Sequence, residues 1–182
     1  MGKTYNSVTE LQDWIEDQKL FFVSTAPLAK EGLINCSPKG ADTFRILGPH
    51  QVAYQDITGS GAETIAHLKE NKRIVVMFCA LHGPPKIVRL HGTGRFVSVE
   101  HEEWSQLQSR FDPKPGVRGA IVIEVQRVSD SCGYGVPVYE FREERTMMEK
   151  WAQKKGPDGV KKYQAQNNRV SIDGLPAMSP DE

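Results

Sequence analysis

An amide, a hydroxyl and an ammonium, from Asn35, Ser37 and Lys39, gather near the end of one apolar run within residues 32–44. Leu33, Ile34 and Cys36 supply the bulk of that run, which then turns polar and rich in Gly and Pro. Further along, Ser60 and Glu63 have the spacing of a capping box, which predicts a helix starting at Gly61 or Ala62. A helix start exposes unpaired amides and the positive end of the peptide dipoles, and both attract an anion such as phosphate. Gly59 and Gly61 let the backbone come close to such a group. If a strand over 32–37 lies beside one over 50–56, Ser37 and Lys39 reach that helix start and all these donors converge on one anion. The plainer alternative is a capped helix beside a solvated turn lysine. The glycine spacing is neither that of a Walker A loop nor that of a Rossmann turn.

Six strands are expected to position these groups. Residues 20–26 are aromatic and β-branched, and 32–37 follow after a Pro/Gly connection as a hairpin partner. Residues 50–56 follow the Gly48-Pro49 turn, and 73–80 form a near-continuous apolar run that reads as buried on both faces. Residues 86–97 carry Gly92 and Gly94, which permit a bulge, and 119–128 make the last strand. Helices are expected at Ser7/Glu10 onward, with Leu11, Trp14 and Ile15 as the apolar stripe, after Ser60, and over 99–111 with Trp104, Leu107 and Phe111 on one side. Strands broken by short helices, without βαβ alternation, predict an α+β chain, mainly β: a six-stranded split β-barrel. The tail differs in character, with a helix around Met147, Met148 and Trp151 and a docking turn at "SIDGLP". The expected division is 1–140 for the barrel and 141–182 for a C-terminal helical extension packed on it.

Composition narrows the function. The chain has 182 residues, 38% hydrophobic and 25% charged, and its 23 basic residues balance 23 acidic ones. Bulk charge therefore gives no support to nucleic-acid or membrane-surface binding. No run is long enough to span a bilayer and no signal-peptide core opens the chain, so a cytoplasmic location is expected. The three cysteines, Cys36, Cys79 and Cys132, form no metal-ligand spacing with the five histidines, and no metal is expected. Arg118, just ahead of the last strand, reads as a surface residue rather than as support for a phosphate or a dimer salt bridge, and the Met147/Met148/Trp151 cluster as core or interface packing.

The succession of "SPKG", "TGSGAETIAHL", "GPPKIVRLHG" and "SCGYGVP", between about residues 8 and 140, resembles the pyridoxamine 5'-phosphate oxidase-like superfamily of FMN-binding split barrels. More narrowly, it is similar to the flavin-nucleotide-binding branch. The resemblance implies a homodimer with FMN in a groove at the subunit interface, and a small-molecule redox substrate. It places Asn35, Cys36 and Ser37 along the flavin ring and Lys39 at the polar end. Tyr54 and Gln55, with Asp56, take the ring or the ribityl chain. Ser60, Gly61, Glu63 and Thr64 fall at the helix start near the phosphate, and Lys86 and Arg89 on the next strand complete phosphate or ring contacts. Tyr134 and Pro137 cover the site from either subunit. One departure stands out: where the oxidases of this family carry an Arg-Lys pair at the helix start, this chain has Glu63-Thr64, and a carboxylate cannot replace a guanidinium as a phosphate clamp. The resemblance therefore implies a flavin-dependent oxidoreductase that is not a true pyridoxamine phosphate oxidase. Its alternatives are a flavin-binding or storage protein without turnover, and a haem-binding split barrel using His82 or His91.

Overall fold

A computed structural model describes residues 2–179; Met1 and 180–182, the outermost ends of the two expected spans, lie outside the described residues. Eight strands form one antiparallel sheet. They are β1 (Thr4–Tyr5), β2 (Phe21–Thr25), β3 (Asn35–Lys39), β4 (Phe44–Gly48), β5 (Gln51–Ile57), β6 (Arg73–Cys79), β7 (Ile87–Ser98) and β8 (Val117–Ser131). The path runs β3-β2-β6-β7-β8-β5-β4, with β1 on β8. Four helices accompany them: α1 (Gln12–Glu16), α2 (Glu63–Asn71), α3 (Trp104–Leu107) and α4 (Met147–Asn167). The chain is α+β, mainly β, with an open barrel-like sheet.

The long strands β7 and β8 are its spine, and their register slips between His91 and Gly92. A Cβ at Gly92 would sit 2.1 Å from the Glu124 carbonyl oxygen, so only glycine allows the two backbones to close at this bulge. Inside the curve Phe21, Phe44, Tyr54 and Phe78 meet with ring centroids 5.0–5.7 Å apart, mostly edge to face. Ile65 and Leu68 of α2 join the same core as Val8, Leu11 and Ile15 from the N-terminal helical segment. The Ser7/Glu10 start is formed: Glu10 Oε1 accepts the N–H groups of Asn6 and Ser7 at 2.7 and 3.0 Å.

The sheet departs from the expected pattern in several places. Two strands were not foreseen. β1 spans only two residues, pinned because Asp130 accepts the Lys3 N–H and the Tyr5 hydroxyl, both at 2.6 Å. β4 is half-buried at every position and so carries no alternation to read. β3 starts at Asn35 rather than at Gly32, and Leu33 and Ile34 stand out in solvent at 54% and 77% exposure. β6 alternates: Ile74, Val76 and Phe78 are buried while Val75, Met77 and Cys79 are only half-covered, so one face of the run, not both, is sealed.

The helix expected over 99–111 shrinks to α3 and a 3-10 turn at Gln108–Arg110. α4 extends well past Trp151 and breaks at Gly156, whose φ of +68° no residue with a side chain adopts easily, just before Pro157. Met147 and Met148 lie outside this chain's core, exposed on its surface, whereas Trp151 meets Tyr163 edge to face across the break at 5.0 Å. Beyond α4 the chain folds back in a turn closed by the Ser171 N–H to the Leu175 carbonyl at 2.9 Å, and Ala177 and Met178 enter the core.

Candidate functional site

β3 lies at the sheet edge against β2, in a register that pairs Thr25 with Asn35 and Phe21 with Lys39. It does not pair with β5: the strand path places β2, β6, β7 and β8 between them. The expected neighbourhood of 32–37 with 50–56 is therefore not formed, and its consequences for the site are specific. The first residue of β3 meets the start of α2, because Asn35 Nδ2 donates to Thr64 Oγ1 at 3.0 Å. It also donates to Thr25 Oγ1 at 3.1 Å, while Asn35 Oδ1 accepts the Ser37 hydroxyl at 2.9 Å. Thr25 Oγ1 continues to His67 Nδ1 at 2.9 Å. One side chain thus ties an edge strand to a helix, and its amide hydrogens are both used internally.

Lys39 goes elsewhere. At a strand rise of about 3.3 Å per residue it is about 13 Å along β3 from Asn35. There it lines a cleft of about 550 Å³ with Gly40, Cys79, His82 and the segment 139–145. Tyr139 N–H donates to the Leu81 carbonyl at 2.8 Å and Glu144 Oε2 accepts the Ala41 N–H at 3.2 Å, so an acidic segment covers this end. Lys86 precedes β7 and lies over the Trp14 ring at 5.2 Å; Arg89 donates to Ser131 Oγ at 3.0 Å. Tyr134 is exposed. None of these three, nor Lys39, lines the cleft at the start of α2.

That second cleft, about 610 Å³, has Asn35, Ser60, Gly61 and Glu63 as its polar part and Leu33, Ile34, Val170 and Ile172 as its apolar part, with Cys36 beside them. The expected Ser60–Glu63 capping box is absent. α2 starts at Glu63 with Ala62 as its N-cap and no capping side-chain bond. Glu63 is engaged by the tail instead: its Oε1 accepts the Ile172 N–H at 3.2 Å. Among the described residues, no Lys or Arg lines this cleft.

Neither Tyr54 nor Gln55 lines this cleft. Tyr54 is wholly buried in the aromatic core, and its hydroxyl has no hydrogen-bond partner. Burial first, and the Asp56 carboxylate second, push that phenol well above its ordinary range. Gln55 donates to the Asp112 carbonyl at 3.2 Å and opens on a different hollow beside Trp104 and Phe111.

Arg118 is the main correction among the charged residues. It is 4% exposed, not on the surface, with Nε 2.9 Å from Asp56 Oδ2 and Nη1 donating to the Gly61 carbonyl at 2.9 Å. It therefore holds the loop that enters α2. Asp56 lies opposite Gly119 on adjacent antiparallel strands, and that pairing is the signal that links the two charges. His67 was also passed over. It is fully buried, which lowers its pKa, and its Nε2 is unpartnered. His82 is exposed beside Asp17 at 3.4 Å, and His91 is held below its usual range by burial, then by Arg127 and Arg89.

Among the described residues no group of three or more His, Cys, Asp or Glu could hold a metal ion, and no helix is long and apolar enough to cross a membrane.

A coiled antiparallel sheet with one helix packed across its interior, and a cleft where that helix meets an edge strand, defines a split-barrel protein of the α+β class. The chain belongs to the pyridoxamine 5'-phosphate oxidase family: residues 7–132 match it. It is 38% identical, over 96% of its own length and 77% of the relative's, to the pyridoxamine 5'-phosphate oxidase family protein ustO of Aspergillus flavus. Among solved structures it resembles HupZ of Group A Streptococcus at 20% identity and TM-score 0.51, covering 68% of this chain and 98% of that one. It also resembles a Clostridium acetobutylicum protein of the pyridoxinephosphate oxidase family, at 13% identity and TM-score 0.52, over 68% and 87% of the two chains. The FAD binding protein from Mycobacterium smegmatis matches at 15% identity and TM-score 0.50, over 71% and 96%. At these identities the structural matches establish the fold.

Proposed function

We propose that this protein binds a flavin, FMN, in the cleft at the start of α2, as a cytoplasmic homodimer with the groove at the subunit interface, and acts as a flavin-dependent oxidoreductase on a small molecule. The observation that carries the reading is the Asn35–Thr64 hydrogen bond, which joins β3 to α2 and shapes a cleft polar on one side and apolar on the other. Family membership and the name of the Mycobacterium smegmatis neighbour point the same way.

The residues fit most of the cofactor. Leu33, Ile34 and Ile172 offer apolar contact to a ring, and Ser60 and the backbone at Gly61 offer hydrogen bonds to hydroxyls. The phosphate fits less well on one subunit, because among the described residues the only charged side chain lining this cleft is the Glu63 carboxylate. That argues against the pyridoxamine phosphate reaction and against a tight cationic clamp. When bound, FMN supplies the electron-transfer chemistry, and the chain's residues bind, orient and shield it. A storage role without turnover is the second reading. It is favoured because, among the described residues, Cys36 and Glu63 are the sole titratable side chains on the cleft lining, leaving little to move a proton for a substrate.

The test is an absorbance spectrum of the purified protein before and after FMN is added. Bound-flavin bands near roughly 375 and 450 nm support the proposal. A Soret band in place of them would show haem, and no chromophore with no binding on titration would refute both. Reduction by NAD(P)H with turnover of an acceptor then separates an enzyme from a store.

A further inference from the structure

We propose that the tail, residues 168–178, is a wall of the flavin cleft, and that Glu63 is the positioning residue that fastens it there. This rests on the flavin reading above.

The tail bridges both lips of the cleft. On the α2 side, Asn168 Nδ2 donates to the Gly59 carbonyl at 3.0 Å and the Ile172 N–H to Glu63 Oε1 at 3.2 Å. On the β3 side, Asp173 Oδ2 accepts the Leu33 N–H at 2.9 Å. Its far end is anchored by Ala177 and Met178 in the core. Lys69 Nζ donates to the Ala177 carbonyl at 2.6 Å. The segment is fastened on the α2 side, on the β3 side and at its core end, yet Val170 and Ile172 remain 55% and 72% exposed. Apolar side chains that line a cleft together with Ile34 and the polar groups of Asn35 and Ser60 are suited to the flat apolar face of a ligand.

The family match ends at residue 132, and every residue of this wall lies beyond it. Glu63 has a distinct part: its carboxylate spends one oxygen on the Ile172 amide, at the helix start where a carboxylate is also favoured by the peptide dipoles. It serves the wall and does not grip an anion.

Riboflavin and FMN are titrated into the full-length protein and its variants by flavin fluorescence, with riboflavin included because it lacks the phosphate that Glu63 would repel. Hydrogen exchange of the tail amides is followed in parallel. Ile172→Ala, at an exposed position that leaves folding intact, weakens riboflavin roughly fivefold to tenfold by removing apolar contact. Glu63→Ala speeds exchange at Ile172 and weakens riboflavin by a similar factor. Glu63→Gln, whose amide oxygen still accepts the Ile172 N–H, keeps both within about twofold of the unaltered protein. Riboflavin affinity unchanged in both Ile172→Ala and Glu63→Ala, in a protein that binds flavin, overturns the wall alone. Failure of the unaltered protein to bind either flavin overturns the flavin reading, and the wall falls with it.

Discussion

The two ends of β3 are built on opposite plans. At Asn35 the strand is bonded side chain to side chain into a buried network that runs through Thr25, Thr64 and His67. Nearby, the loop into α2 hangs from the buried Asp56–Arg118 pair. At Lys39 the same strand opens on a cleft whose cover, residues 139–145, touches it through exposed groups such as Glu144. Buried polar groups lose heavily when one partner is removed, whereas exposed ones are replaced by water at little cost. One end of this strand is therefore a fixed part of the cleft at the start of α2, and the other is adjustable.

Arg118→Ala gives the largest expected break. It strands the Asp56 carboxylate without its partner, and a loss of about 3–5 kcal/mol in denaturant unfolding is expected. A loss under about 1 kcal/mol would mean that the pair is not holding the α2 loop.

Asn35→Ala comes next, removing the bonds to Thr25 and Thr64 at once. Unfolding should cost about 1–3 kcal/mol, and FMN binding should weaken measurably in the same preparation. Thr64→Ala should reproduce the binding loss with a smaller change in stability.

Acid sharpens the contrast further. Burial depresses the folded-state pKa of His67 below its ordinary value of 6.5, against the opposing pull of Asp173, Glu63 and Glu70. The unfolded chain thus takes up the proton first. The neutral imidazole's contribution is whole above about pH 6.5 and is lost as pH falls below it. Thermal melts at pH 7.5, 6.5 and 5.5 should show that decline, and His67→Gln should flatten it. An identical slope in the variant would remove His67 from the account.

The smallest effects belong to the other end. Lys39→Ala and Glu144→Ala are each expected to change stability by less than about 0.5 kcal/mol. Lys39→Ala should also leave flavin affinity within about twofold. A large loss of FMN binding on Lys39→Ala would place the phosphate in the Lys39 cleft and invert the comparison.

Much of the sheet was legible because its signals are local. β2, β5, β7 and β8 carry aromatic or β-branched runs that declare themselves within a few residues, and Gly92 announces the bulge that it makes. β4 was not legible: side chains half-covered at every position leave no period to detect. The make-up of the candidate cleft was legible in part. Asn35, Ser60, Gly61 and Glu63 do share one cleft, and Thr64 is bonded to Asn35 at its edge. Lys39, Lys86 and Arg89 do not join them, since their place depended on strand order rather than on spacing. The Ser60–Glu63 motif matched a cap that another partner claimed, the Ile172 amide 109 residues away.

By itself, the sequence determined where six of the eight described strands run and that a helix begins near residue 63, because hydrophobic period, β-branching and turn residues act over a few positions. Tertiary structure alone decided which end of β3 meets that helix, what Glu63 binds, and that Arg118 is buried against Asp56. Those outcomes follow from strand order and register. One more strand between two neighbours separates groups that any reading of spacing would join.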